Sequence, residues 1–332
     1  MEFELIQNLD ITVKDNIQYH RLMLTQSGTV ATFYSDDADE CYYLDWYTGS
    51  EVVQTKIQDF TYDVFDPPAL FQCQGYVGIF ASAGNALCLF TENRKNEPIR
   101  ISISNELPVI QYPGFDKELT NYVYAGSTDS DVIPFLLKEG GLLPVYFAQL
   151  KIDVAEGSAK WIKLNYWGDS QEITAYMAVL EKPAKKPFTI LHALNKNDWT
   201  YIFGIGDRDG GYLKYGMDYS DLCLLDEGGK VKEKIFSLGP LNKGGKKGGK
   251  ECLFTSSGHY AILTPVFNAD DWKGQQRILD IGQQQLLDVQ LPKTLAGYQI
   301  VDHNNDCFLL INGMRNQIIT DISGIIIAKS LS

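Results

Sequence analysis

A short unit recurs along the chain: two apolar or neutral residues, an Asp, a turn containing Gly, then a second apolar run. It reads Tyr43-Leu44-Asp45-Trp46-Tyr47-Thr48-Gly49 before Val52-Val53, and Leu224-Leu225-Asp226-Glu227-Gly228 before Val231. It returns as Ile278-Leu279-Asp280-Ile281-Gly282 before Leu286-Leu287, and as Ile319-Thr320-Asp321-Ile322-Ser323-Gly324 before Ile325-Ile326. The four Asp positions fit a ruler of about 45 residues, with several steps between the first two, and a fixed period of this size points to a repeat architecture. Each copy reads as a tight hairpin, in which Asp bonds the turn backbone and Gly supplies the positive φ that the turn requires.

Short apolar runs rich in Val, Ile, Tyr and Phe fill the space between these units, as in 29–34, 76–80 and 260–264. Turn residues separate them, so they read as strands. The best helical stretch, 116–120, is barely one turn, and the chain is all-β. Upstream of the third unit, strands over 251–256 and 259–266 complete a set of four antiparallel strands with 277–281 and 285–291, the size of one propeller blade. The same ruler divides one domain, 1–332, into seven four-stranded antiparallel blades: 18–57, 69–103, 120–160, 161–195, 199–238, 251–291 and 297–330. The third and fourth admit more than one strand division, which leaves six blades with insertions as the alternative. Closure of the ring has two candidate outer strands, 3–13 and 324–330.

On these residues the chain resembles β-propeller repeat proteins of the WD40-like kind, over most of its length. The order Asp45-Trp46 is the reverse of the WD dipeptide, Gly258-His259 occurs once, and the paired glycines Gly140-Gly141 and Gly210-Gly211 keep no blade period. The resemblance implies an architecture and carries no activity with it.

The chain has 332 residues and a formal charge of -13, from 29 Lys plus Arg against 42 Asp plus Glu. That balance argues against nucleic acid, whose affinity rests on basic side chains, and against anionic membrane. No apolar run is long enough to span a bilayer, and Met1-Glu2-Phe3-Glu4 lacks a secretory layout. The six cysteines, Cys41, Cys73, Cys88, Cys223, Cys252 and Cys307, lie in or beside apolar segments without CxxC spacing, and read as small hydrophobes in a reducing cytoplasm. Cys73 and Cys88 are placed to face each other across one small sheet.

Motifs for chemistry are weak. Gly244-Gly245-Lys246-Lys247-Gly248-Gly249-Lys250 satisfies GxxxxGK, but Glu251 stands where a phosphate loop needs Ser or Thr, and the segment runs into a strand. It reads as a solvated linker. Asp207-Arg208-Asp209-Gly210-Gly211 begins like a calcium loop, yet its Gly comes two places early. None of the histidines His20, His192, His259 and His303 has another within helical metal-pair spacing. No catalytic residue, metal ligand or cofactor is assigned.

What remains is charge. In a propeller the turns between second and third strands and the links between blades emerge on one face. That face gathers Asp36, Asp37, Asp39 and Glu40 from the first blade, Asp63 and Asp66 from the first link, Asp218 and Asp221 from the fifth blade, and Asp270, Asp271 and Trp272 from the sixth. Acids steer a basic partner and aromatics anchor it. The expected function is therefore a non-enzymatic protein-binding module, such as an immunity or inhibitor protein capping a basic partner. The alternative is a propeller enzyme, or a sugar or small-molecule binder, with its site at the central channel mouth.

Overall fold

The computed structural model describes the chain except residues 10, 12–16, 50, 59, 63–67, 82–85, 92–93, 105–120, 125–129, 139–143, 167–187, 197–198, 207–218, 226–230, 241–249, 266–274, 316–317 and 332. Strands dominate it. Blade I contains β2 (Ile17–Leu24), β3 (Val30–Asp36), β4 (Cys41–Thr48) and β5 (Glu51–Ile57), each antiparallel to the next. Blade II contains β6 (Ala69–Cys73), β7 (Tyr76–Ala81), β8 (Ala86–Thr91) and β9 (Arg94–Ile103). Blade III contains β10 (Asn121–Tyr124), β11 (Val132–Lys138), β12 (Pro144–Asp153) and β13 (Ser158–Tyr166). Blade IV contains β14 (Phe188–Lys196), β15 (Trp199–Gly206), β16 (Tyr219–Leu225) and β17 (Val231–Pro240). Blade V contains β18 (Lys250–Phe254), β19 (Tyr260–Pro265), β20 (Arg277–Asp280) and β21 (Gln285–Asp288).

The last blade is assembled from both ends of the chain. In blade VI, β22 (Tyr298–Asn304), β23 (Cys307–Arg315) and β24 (Ile318–Ser330) follow one another, and β1 (Phe3–Leu9) pairs antiparallel with the far side of β24. Both candidates for closure are therefore used, as neighbours: 324–330 belongs to the third strand and 3–9 is the fourth. First strands of adjoining blades meet, β2 with β22, β6 with β10 and β14 with β18, so they lie nearest the axis. The chain is an all-β propeller. Among the described residues the strands make six four-stranded units, not the seven expected. The range 161–195 supplies the end of β13 and most of β14, with 167–187 between them outside the described residues.

Burial explains why the apolar runs are continuous. A strand sends alternate side chains to opposite faces, and an inner blade is covered on both. In blade II, Leu70, Val77, Ile79, Cys88 and Phe90 face blade I, where they join Met23, Phe33, Tyr42, Leu44 and Trp46. Their neighbours Phe71, Phe80, Leu87 and Leu89 face blade III and pack with Ile133, Phe135, Leu150 and Trp161. Cys73 and Cys88 therefore lie in different clusters, on strands separated by β7, and do not face each other. Further clusters fill the seams between VI and I and between V and VI. A short parallel pairing of Ser102 and Ile103 with Ser158 and Ala159 ties the outer strands of blades II and III. Among the described residues no helix is long and apolar enough to cross a membrane.

The repeated Asp behaves differently from copy to copy. Asp280 meets expectation, its Oδ1 accepting the Gln283 N–H at 2.8 Å in the β20–β21 turn. Asp45 sits mid-strand, buried, and accepts the Tyr34 hydroxyl at 3.1 Å, while the β4–β5 turn is made by Gly49 at φ 63°. Asp321 lies within β24, at a shift in its register with β23 between Ile319 and Gly324, and not in the expected hairpin. Asp226 is outside the described residues.

The N-terminal residues also span a seam. Phe3 packs edge-on against Phe308, the Met1 amino group donates to the Asp288 carbonyl, and Gln290 N–H donates to the Met1 carbonyl. Deleting residues 1–9 removes a strand and the burial of Phe3 and Leu9, each worth about 1.5–3 kcal/mol, so stability should fall by about 4 kcal/mol or more. Urea unfolding followed by tryptophan fluorescence measures this, and an unchanged midpoint would show that closure does not rest on β1.

Candidate functional site

The two ends of the disc carry different polar chemistry. One end holds the turn between the first and second strand of each blade. The other holds the turns between second and third strands and the inter-blade links.

On the second end, β3 and β4 are joined by a turn over 37–40 that carries the acids expected there. Asp36 caps it, with Oδ1 accepting the N–H of Ala38 at 2.9 Å and of Asp39 at 3.3 Å. Short polar side chains do this in turns, so Asp36 has a structural task. Glu40 closes the turn at φ 49°. Two tyrosines reach the other acids: Tyr43 donates to Asp39 Oδ2 at 2.6 Å, and Tyr62 donates to Asp37 Oδ1. Burial and the neighbouring Asp37 push the Tyr62 phenol up to about 12, so it stays protonated as the donor. Asp37, Asp39 and Glu40 are exposed. Beneath them His20 on β2 bonds Ser35 Oγ at 2.9 Å and packs on Phe33 and Tyr42, and Tyr42 in turn meets Tyr62. Burial lowers the His20 imidazole to about 4, against a smaller opposing pull from Asp37, so it is neutral at pH 7.

The structure thus brings Asp36, Asp37, Asp39 and Glu40 together in one turn. Asp221 is in strand β16, opposite Gly204 and Ser237, and not in the turn where the sequence put it. Asp63, Asp66, Asp218, Asp270, Asp271 and Trp272 lie outside the described residues, as do the Gly/Lys linker 241–249 and the segment 207–211. The strand after the linker is present as β18.

The first end holds a cluster that the sequence reading missed. Asp302, near the end of β22, is buried and accepts four hydrogen bonds. Its Oδ1 takes Ser256 N–H at 2.7 Å and His303 N–H at 2.8 Å, and its Oδ2 takes Leu24 N–H at 2.8 Å and Ser256 Oγ at 2.6 Å. Two residues on, Asn304 Nδ2 donates to the Leu24 carbonyl and to Gln72 Oε1, each at 3.0 Å, and Gln72 Nε2 donates to the same carbonyl at 2.7 Å. Blades V, VI, I and II are joined through this group. Burial raises the Asp302 carboxyl, against smaller lowering contributions from Ser256, Leu24 and Arg21. The visible signal was a polar run, Asp302-His303-Asn304-Asn305-Asp306, at the end of an apolar strand, with Gln72 breaking the run Leu70-Phe71-Gln72-Cys73.

The hub's carboxylate and amide groups already hold protein partners, so the cluster is built to join strands. The acids at the other end keep open lone pairs facing solvent. Among the described residues no group of three or more His, Cys, Asp or Glu is placed to hold a metal ion.

No family model matches the chain, and no curated protein matches its sequence. Solved structures do resemble it. The alpha-L-arabinanase of Penicillium chrysogenum aligns with a TM-score of 0.51 at 7% identity, covering 98% of this chain and 98% of that one. The C-terminal WD40 domain of Sif2 aligns with a TM-score of 0.39 at 10% identity, covering 97% of this chain and 84% of that one. An oligogalacturonate lyase of Vibrio parahaemolyticus gives 0.41 at 14% identity over 93% of this chain and 82% of its own. At these identities the likeness is one of fold.

Replacing Asp302 with Asn exchanges one acceptor oxygen for an amide that faces donors already in place. Leaving such groups unpaired costs about 2–3 kcal/mol. Asp302→Asn should lower urea stability by that amount, whereas Asp37→Asn on the exposed turn should change it by less than about 1 kcal/mol. Equal effects at the two positions would remove the hub from its structural role.

Proposed function

We propose that the protein is a binding module without catalytic chemistry of its own, holding a basic protein partner on the face that carries the β3–β4 turn. The observation that supports this reading is the concentration of Asp36, Asp37, Asp39 and Glu40 in five consecutive residues, on a chain of net charge -13. Tyr43 and Tyr62 stand beside them, each with its hydroxyl committed to an acid; the Tyr43 ring is buried against Tyr34, whereas Tyr62 is only half-buried and can contact a partner. Charge of this kind raises encounter rates and selects a basic partner, and aromatics supply anchoring energy. Asp63, Asp66, Asp218, Asp270, Asp271 and Trp272 extend the face in this proposal. A protein that caps a basic toxin or nuclease is one concrete form of it, in the cytoplasm.

The test spares Asp36, because that residue holds the turn. A variant carrying Asp37→Lys, Glu40→Lys, Asp270→Lys and Asp271→Lys should lose at least about tenfold in affinity for a basic partner captured at low salt, with the loss shrinking as salt screens the field. Interferometry on the purified pair reads both quantities. Unchanged affinity across the four reversals would take this face out of the function.

A further inference from the structure

The hub also contains a titratable group that crosses a blade seam. His303 is the penultimate residue of β22 in blade VI, and Ser257 lies in the turn 255–259 of blade V. Ser257 Oγ is 2.7 Å from His303 Nδ1, and Ser257 N–H donates to the His303 carbonyl at 2.9 Å. Oγ also accepts the His259 N–H at 3.2 Å and lies 3.1 Å from Thr255 Oγ1. Oγ can meet Nδ1 as donor or as acceptor, its own hydrogen going to Nδ1 or to Thr255 Oγ1, so either neutral tautomer keeps this contact across the seam. The ring packs against Phe308 at 4.4 Å and Tyr260 at 4.8 Å between centroids, in a nearly closed environment.

We propose that this end of the seam between blades V and VI is an acid-sensitive latch, closed while the His303 imidazole is neutral and bonded to Ser257, and opened when the imidazole takes up a proton. A protonated ring keeps an N–H on Ser257 Oγ, whose own hydrogen can turn to Thr255 Oγ1, so what opposes protonation is the burial of the charge. The new charge lies against aromatic walls. From blade V it faces the His259 ring at 6.3 Å, and Tyr260, which lies beside Asp280. From blade VI the acids are Asp306, which attracts it, and Asp302, whose carboxylate is spent on four donors with Arg21 of blade I nearby.

Burial first, and His259 second, lower His303 to about 4 from its ordinary 6.5. A group lowered in this way contributes stability that is complete above 6.5 and lost as pH falls toward 4. Asp302 acts in the opposite sense: its raised carboxyl binds a proton first in the closed state, so it favours closure as pH falls. The readout must therefore be local. Besides Ser256–Asp302, the Gln276 amide also ties this seam, pairing with both Ile300 N–H (2.7 Å) and Ile300 carbonyl (3.0 Å); it holds no titratable group and should stay closed.

Hydrogen exchange of the whole protein, corrected for intrinsic pH dependence, gives the test. Opening of the Ser257 amide should increase about thirtyfold from pH 7.5 to pH 5, the factor that linkage gives for 6.5 in the open and 4 in the closed state. The Ile300 amide should not change. In His303→Gln, which keeps an acceptor for Ser257 but cannot titrate, the pH dependence should vanish. Equal Ser257 protection at both pH values, or the same fall in His303→Gln, would overturn the latch. Should that variant fail to fold, NMR titration of the His303 ring in the unaltered chain decides, because a midpoint near 6.5 refutes it.

Discussion

A carboxylate removed from water is costly unless donors surround it, and Asp302 has four, drawn from three blades. That requirement imposes geometry. The end of β2, the turn after β18 and the body of β22 must converge on one point, to within hydrogen-bonding distance, before the charge is tolerable. Asn304 and Gln72 extend the same demand to β6, since all three side chains meet at Leu24, Asp302 through its N–H and the two amides through its carbonyl. Apolar seams between blades are forgiving, because Leu and Ile tolerate small shifts. The hub is not. It fixes the rotation of four blades about the axis, while the seams supply most of the energy that keeps them together.

Closure follows a related logic. A propeller has no covalent bond between its first and last blades, so the ring is held at that point only by packing and pairing. Lending β1 to blade VI converts chain connectivity between β1 and β2 into a tie between blades VI and I. Leu9 on β1 shares a cluster with Leu22, Leu24 and Tyr47 of blade I and with Ile325 and Ile327 of β24. The N-terminal strand is thus a strand of one blade, and its end is part of the wall against the next.

Fold class was legible because double-sided burial writes continuous β-branched and aromatic runs into the sequence, and those runs need no partner to be recognised. Blade division was less so. The Asp unit that suggested the period marks a hairpin at 43–53 and 278–287, yet at 319–326 it lies within one long strand. A local pattern cannot report whether its Gly bends the chain or allows close approach: a side chain at Gly324 would meet the Tyr298 hydroxyl. The acidic turn at 36–40 could be read directly, since its residues are consecutive. The hub could not, since Leu24, Gln72, Ser256 and Asp302 are far apart in sequence and adjacent only through the ring. Its trace in the sequence was polar residues at positions where alternation demands apolar ones, as with Gln72 and Asp302.

On the proposed reading, the two ends of the axis divide stability from recognition on physical grounds. At the hub end each named donor and acceptor is matched within the protein, and a ligand seeking those groups would have to break bonds the ring depends on. At the acidic end only part of the acceptor capacity is used: Asp36 serves its turn, Asp37 and Asp39 each take one tyrosine hydroxyl, and the remaining lone pairs face water. Those carboxylates can exchange water for a cationic partner with no loss inside the fold. Their mutual repulsion within one turn is also relieved by such a partner, so the charge that costs the free protein stability becomes a source of affinity. A scaffold whose rigidity resides at one pole is free to carry that unfavourable charge at the other.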